Sequence, residues 1–285
     1  MSLLKPNYQY NLGYALGGGG SRGFAHLGAL KALDNLDLKP EILIGTSAGA
    51  LAGVFYADGF QPEEVCDLFQ QKEFLQFAEL SLPNVGFLKT KGLYNLLKNN
   101  LRAKKFDQLR MPFVSVATDW VQGRAVTFSE GDCLIESVVA SCSVPIIFQP
   151  QYIDGVAYVD GGVFKNFPVS LIRKECKYVI GVNVSRIAPI PEMANIRKMA
   201  ERTFRLMANA NSLTDRDLCD ILIEPRGIEN LSMFDLKNAM KVVNIGYLSA
   251  TKTMQEEEPQ QILRRCLRYN ELSEKIRAYI KETRI

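Results

Sequence analysis

Three short stretches of this chain put reactive or anion-stabilising groups where the backbone turns sharply. Gly17-Gly18-Gly19-Gly20-Ser21-Arg22-Gly23 lies between an apolar run and an Ala- and Leu-rich one. Consecutive glycines let the backbone approach a ligand and aim N–H groups at it. A helix starting just after adds its positive end. The chemistry served is binding of negative charge, on a phosphate or a developing oxyanion. The second stretch, Gly45-Thr46-Ser47-Ala48-Gly49, is the G-x-S-x-G pattern of a nucleophile elbow. A serine on such a strand-to-helix turn stands exposed, with small neighbours that let other backbone come close. The plainer reading is a Gly-rich connection whose serine caps a helix. The third stretch, Asp160-Gly161-Gly162, puts a carboxylate at the end of a strand. By itself it reads more simply as an Asp-Gly turn, as Asp154-Gly155 does.

A serine hydroxyl needs a base to become a nucleophile. The chain has one histidine, His26. We expect it in the helix after the glycine loop, half-buried and orienting backbone rather than acting as the base. Hydrolysis without it requires a serine–aspartate pair. A lone histidine removes multi-histidine metal sites, and neither a C-x-x-C pair nor an EF-hand loop occurs. No metal and no cofactor are expected. Gly18, Gly20 and Gly23 formally fit a dinucleotide fingerprint, but the next strand ends Leu43-Ile44-Gly45 and offers no acid for a ribose. A Walker A loop fails because Phe24 follows Gly23 where lysine is needed.

The elements that must position these residues alternate between strand-like and helical patterns in the first half, which implies a mainly parallel α/β sheet. Strands are expected at 10–16, 41–44, 112–118 and 178–184, with 125–128 as a hairpin partner. A further hairpin, 152–153 with 156–159, turns on Asp154-Gly155. Helices are expected at 23–36, 47–58, 62–77, 93–100 and 136–143. A Pro/Gly loop at 81–92, with Leu82, Val85, Phe87 and Leu88, and the segment 187–193 are candidate covers for a site. After residue 185, Pro189 and Pro191 form a linker. The rest reads as helix, apart from a strand-like interruption at 220–224 and a break at Glu256 to Pro259. We expect a core at 1–185 and a helical extension at 186–285 packed on the same domain.

At 285 residues with 47% hydrophobic content the chain is long enough for a full core. Its 34 Lys and Arg against 31 Asp and Glu leave +3, too weak a charge to argue for nucleic acid as a partner. The six cysteines are scattered through apolar stretches, as reduced core thiols would be. No secretory h-region precedes residue 11, and no apolar run approaches the roughly 20 residues of a membrane span. A cytoplasmic location is the expectation.

In this order the three motifs resemble the patatin-like phospholipase family. Further stretches share the likeness: Ala25-His26-Leu27-Gly28, Val116-Ala117-Thr118-Asp119, Ala140-Ser141-Cys142-Ser143-Val144-Pro145 and Asn166-Phe167-Pro168-Val169. The resemblance spans roughly residues 14–184, and no motif position departs from it. It implies a three-layer α/β/α sandwich and a Ser–Asp dyad, with Ser47 the nucleophile between Gly45 and Gly49, and Asp160 the base. The backbone N–H groups of Gly18, Gly19 and Gly20 would form the oxyanion hole. Arg22, beside Gly23, would shape the loop or meet an anionic headgroup. The implied substrate is a lipid or other acyl ester, with transient contact at a membrane surface. The alternative is a lipid- or acyl-binding regulatory protein of the same fold with negligible turnover.

Overall fold

Among the described residues, eight strands form one sheet in the order β5-β6-β3-β2-β1-β7-β8, with β4 also on β3. The computed structural model describes residues 8–70, 90–189, 195–233 and 235–282. The strands are β1 (Tyr10–Leu16), β2 (Ile42–Thr46), β3 (Phe113–Asp119), β4 (Arg124–Phe128), β5 (Gln151–Ile153), β6 (Val156–Asp160), β7 (Cys176–Val182) and β8 (Ile221–Ile223). β3, β2, β1, β7 and β8 are mutually parallel, and β4, β5 and β6 run antiparallel to their neighbours.

Alternation along the strands builds two cores. Leu12, Tyr14, Leu16, Leu43, Phe113, Ile180 and Val182 point to the face covered by the helices Phe24–Asp34, Ala48–Ala57 and Ala239–Met254. Ala15, Ile42, Ile44, Val114, Val116 and Val179 point to the other, where Phe167, Val169 and Ile172 pack. The result is a three-layer α/β/α sandwich, as a mainly parallel sheet with two buried faces requires.

Several boundaries differ from expectation. The first helix is preceded by a 3-10 turn, Gly20–Gly23, and starts at Phe24. The helix expected at 136–143 is Leu134–Ser141. The helix expected at 62–77 is described as Pro62–Gln70, and its remainder lies outside the described residues. The strand-like interruption near 220 is β8, which pairs with β7 through Ile180↔Ile221 and extends the sheet. Asp154 (φ 50°) and Gly155 (φ 77°) both adopt positive φ, the pattern of a two-residue type I′ hairpin turn.

The helix Ala239–Met254, in the last third of the chain, lies against Phe24–Asp34 at backbone contact. A Cβ on Gly28 would strike the Val243 carbonyl, and one on Gly246 the Ala25 carbonyl. Both obstacles are backbone and cannot rotate away. Gly28→Val should therefore cost more than about 3 kcal/mol, beyond the usual range for overpacking. Thermal unfolding would read this, and a melting temperature within a degree of wild type would disprove the close crossing.

β3 has only two edges, and the registers assign them. Ser115 pairs with Phe128 of β4 and Gly45 of β2, while Ala117 pairs with Val126 of β4 and Asp160 of β6. β2 and β6 therefore share one edge of β3. They approach from opposite directions and meet end to end, Thr46 beside Val116 and Asp160 beside Ala117. The residue after Thr46 is Ser47.

Candidate active site

Ser47 sits at φ 53°, ψ −123°, outside the region open to most L-residues and of the kind found at strained functional turns. Close packing holds it there. A Cβ on Gly45 would lie 2.6 Å from Ala50 Cα, and one on Gly49 would run into the carbonyls of Leu16 and Gly17. Ser47 occupies the N-cap position of the helix Ala48–Ala57, yet its side chain makes no cap hydrogen bond. Its hydroxyl instead donates to Asp160 Oδ2 at 2.6 Å. The helix-cap reading of this serine is thereby set aside. Its backbone N–H donates to Ser141 Oγ at 2.8 Å, and Ser141 Oγ donates to the Val116 carbonyl at 2.6 Å.

Asp160 is fully buried. Its Oδ1 accepts the Gly162 N–H at 2.7 Å, so the Asp-Gly-Gly turn expected from sequence exists and uses one carboxylate oxygen. The other is left for Ser47. Burial raises the Asp160 pKa to about 7, against the lowering pull of the Ser47 hydroxyl and the Gly162 N–H. An ordinary carboxylate, near 3.8, would stay ionised far below neutrality. Here burial outweighs two hydrogen bonds.

His26 is fully buried rather than half-buried. Its Nε2 lies 2.7 Å from the Gly17 carbonyl. A carbonyl only accepts, so Nε2 carries the proton and Nδ1 is bare, and among the described residues Nδ1 has no partner. Burial lowers the His26 pKa to about 4, so the ring is neutral. It steadies the glycine loop, and among the described residues no hydrogen bond joins it to Ser47. His26→Gln should keep most of the activity and leave the acid limb of the pH–rate profile where it is. A shifted limb in a folded variant would implicate the imidazole in proton transfer.

The glycine loop passes close to the elbow, with Gly18 placed so that a Cβ there would be 3.2 Å from Ser47 Cβ. Its three N–H groups are not equivalent. Gly18 N–H is already committed to the Asn166 carbonyl at 2.9 Å. Among the described residues, those of Gly19 and Gly20 have no hydrogen-bond partner in the protein. The expected set of three donors thus narrows to Gly19 and Gly20. Arg22 faces into the protein. It is 3% exposed, and its guanidinium donates to the carbonyls of Gly19 at 3.0 Å and Arg186 at 3.3 Å. Burial, and next the neighbouring Arg205, lower its pKa to about 9. Of its two expected roles, this burial favours shaping the loop over meeting a headgroup. In a planar trans peptide, a carbonyl held one way points the next N–H the other way, so Arg22 fixes the direction of the Gly20 N–H. Gly23 packs against Ala48 and has no room for a side chain.

Two polar residues near the site, Ser141 and Asn166, lie in stretches that carry the family likeness, but their spacing alone gave no role to either. Asn166 Nδ2 also reaches the Gly18 carbonyl, at 3.4 Å. The candidate covers at 81–92 and 187–193 lie largely outside the described residues. No group of three metal-ligating side chains occurs among the described residues. No helix there is long and apolar enough to cross a membrane.

The family model for patatin-like phospholipase matches residues 14–172. An uncharacterized NTE family protein of Mycobacterium tuberculosis is 28% identical over 206 residues, covering 70% of this chain and 57% of its own length. The chain thus spans little more than half of that relative. A cUMP-AMP-activated phospholipase of Escherichia coli is 26% identical over 223 residues, 66% of this chain and 68% of its own. The structure of human GIVD cytosolic phospholipase A2 superposes with a TM-score of 0.50 at 10% identity, over 91% of this chain and 60% of that one, which speaks to fold alone.

Proposed function

Because the chain belongs to the patatin-like phospholipase family, we propose that it is a serine lipid acyl hydrolase that cleaves phospholipid, lysophospholipid or related acyl esters. The observation that carries this reading is the 2.6 Å hydrogen bond from Ser47 Oγ to Asp160 Oδ2. It joins a strained serine to a buried carboxylate that, among the described residues, has no cationic partner.

In this reading Asp160 takes the hydroxyl proton as Ser47 Oγ attacks the acyl carbonyl carbon. The carbonyl oxygen becomes an oxyanion held by the N–H groups of Gly19 and Gly20. Such donors act strongly because they are fixed before the charge develops. Collapse of the tetrahedral species expels the alcohol, which takes its proton from Asp160, and leaves an acyl-Ser47. Water then gives a proton to Asp160 and attacks the acyl carbon. The second collapse frees the carboxylic acid and returns a proton to Ser47.

The test is a hydrolysis screen across esters of graded acyl length and headgroup, run in EDTA because no step above uses a metal. Turnover of acyl esters in EDTA is expected. Binding of the same compounds without turnover would favour the regulatory lipid-binding alternative. Activity that EDTA removes and calcium restores would overturn the metal-free scheme.

A further inference from the structure

The helix Ile196–Ala210 turns an apolar stripe to the outside. At 3.6 residues per turn, Ile196, Met199, Thr203, Leu206 and Ala210 share one side, and all five are exposed. Ile196 is 84% exposed, Met199 46% and Leu206 47%. The opposite side carries Glu201, Arg205 and Ala208 and faces the protein. Arg205 is buried and donates to the Glu229 carbonyl, and Glu201 accepts the Met233 N–H at 2.7 Å. A surface helix ordinarily turns its apolar side inward. Here the inward side sets Glu201 and Arg205 against backbone groups and packs Phe204 and Ala208, and the stripe of Ile196, Met199 and Leu206 is left outside.

This helix is braced on the turn that holds the dyad. A Cβ on Gly162 would lie 3.1 Å from the Phe204 ring, and Gly162 N–H bonds Asp160. Just past the helix end, Asn211 donates to the carbonyls of Gly162 at 2.9 Å and Val163 at 3.2 Å. Phe164, 45% exposed, follows directly. Exposed Lys198 and part-exposed Arg202 run along one border of the stripe.

We infer that the stripe of Ile196, Met199 and Leu206 docks the protein on an anionic lipid surface, with Lys198 meeting headgroups. The inference rests on the acyl-hydrolase reading, because the site beside this helix must draw its substrate from such a surface. An apolar side bordered by cations matches the needs of a helix lying in a bilayer interface. A second copy of the chain fits less well. Three large side chains fall far short of the roughly 20–30 residues that a stable interface uses on each side.

The test is flotation of the full chain with phosphatidylcholine vesicles, with and without phosphatidylglycerol, alongside size-exclusion chromatography. Wild type is compared with the triple variant I196D/M199Q/L206Q, whose positions are exposed and whose new residues suit a helix and its N-terminus. We expect wild type to float with phosphatidylglycerol vesicles. The triple variant should bind at least about tenfold more weakly, since burying even one such side chain is worth that much. Hydrolysis of vesicle lipid should fall in proportion, while hydrolysis of a soluble short-chain ester stays unchanged. Lys198→Glu should weaken binding about fivefold or more, and added salt should erase that difference. Equal flotation of wild type and triple variant, no flotation of wild type, or a wild-type dimer that the substitutions split would each overturn the inference. Flotation needs no turnover, so a wild type that floats but hydrolyses no ester counts against the hydrolase reading and leaves the docking surface standing.

Discussion

Ser47→Ala is expected to lower kcat/KM on a soluble ester by about 10⁴ or more, the scale on which serine hydrolases lose activity with their nucleophile. It should also abolish fluorophosphonate labelling. Among the described serines, only Ser47 joins a carboxylate hydrogen bond to the positive φ of an elbow. Alanine keeps the backbone contacts that hold the turn, including the N–H bond to Ser141. The variant should therefore fold, and circular dichroism and melting would check that. Persistent labelling in folded Ser47→Ala would show that another serine is the nucleophile.

Asp160→Asn should cost about 10² to 10⁴ in rate, the range for removing a general base. Asparagine keeps the shape, and its carbonyl oxygen can still accept the Gly162 N–H. In wild type the base must be ionised to act. With its pKa raised to about 7, kcat/KM should fall as pH drops below about 7, approaching tenfold per pH unit. A limb there resembles that of a histidine, but His26, lowered to about 4, cannot produce it. Stability should move the opposite way. The folded pKa of Asp160 lies above its unfolded value, so between about 4 and about 7 the native state holds the extra proton. Above that window the buried carboxylate destabilises the fold, and below it the penalty is gone. Asp160→Asn should thus be more stable than wild type at pH 8, by up to a few kcal/mol, with the gain shrinking by pH 5. Denaturant melts at the two pH values would measure it. Asp154→Asn, in the exposed hairpin turn, should alter neither rate nor its pH profile. Loss of hydrolysis in Asp154→Asn but not in Asp160→Asn would refute the pairing.

The parts of this protein that the sequence alone determined are those whose physics is local. Alternating apolar residues mark β1 at Tyr10–Leu16 without error. Asp154-Gly155 declares its turn because few other residue pairs tolerate two positive φ values. The glycine loop and the elbow are legible for the same reason, since backbone crowding at Gly45 and Gly49 admits no side chain. The family likeness then links Ser47 to Asp160, but nothing in the spacing brings together residues 113 apart. Only the tertiary structure does so, by giving β2 and β6 the same edge of β3, because register is set by long-range pairing. The fate of single polar groups is also decided there. Gly18 N–H is taken by Asn166, and Arg22 is buried against the Gly19 carbonyl. Asp160 is lifted towards neutrality because desolvation sums over everything packed around it. The helix Ile196–Ala210 makes the same point. Periodicity locates a stripe on a helix, but which side faces inward depends on what the rest of the chain offers it, and here that includes the Met233 N–H for Glu201 and the Glu229 carbonyl for Arg205.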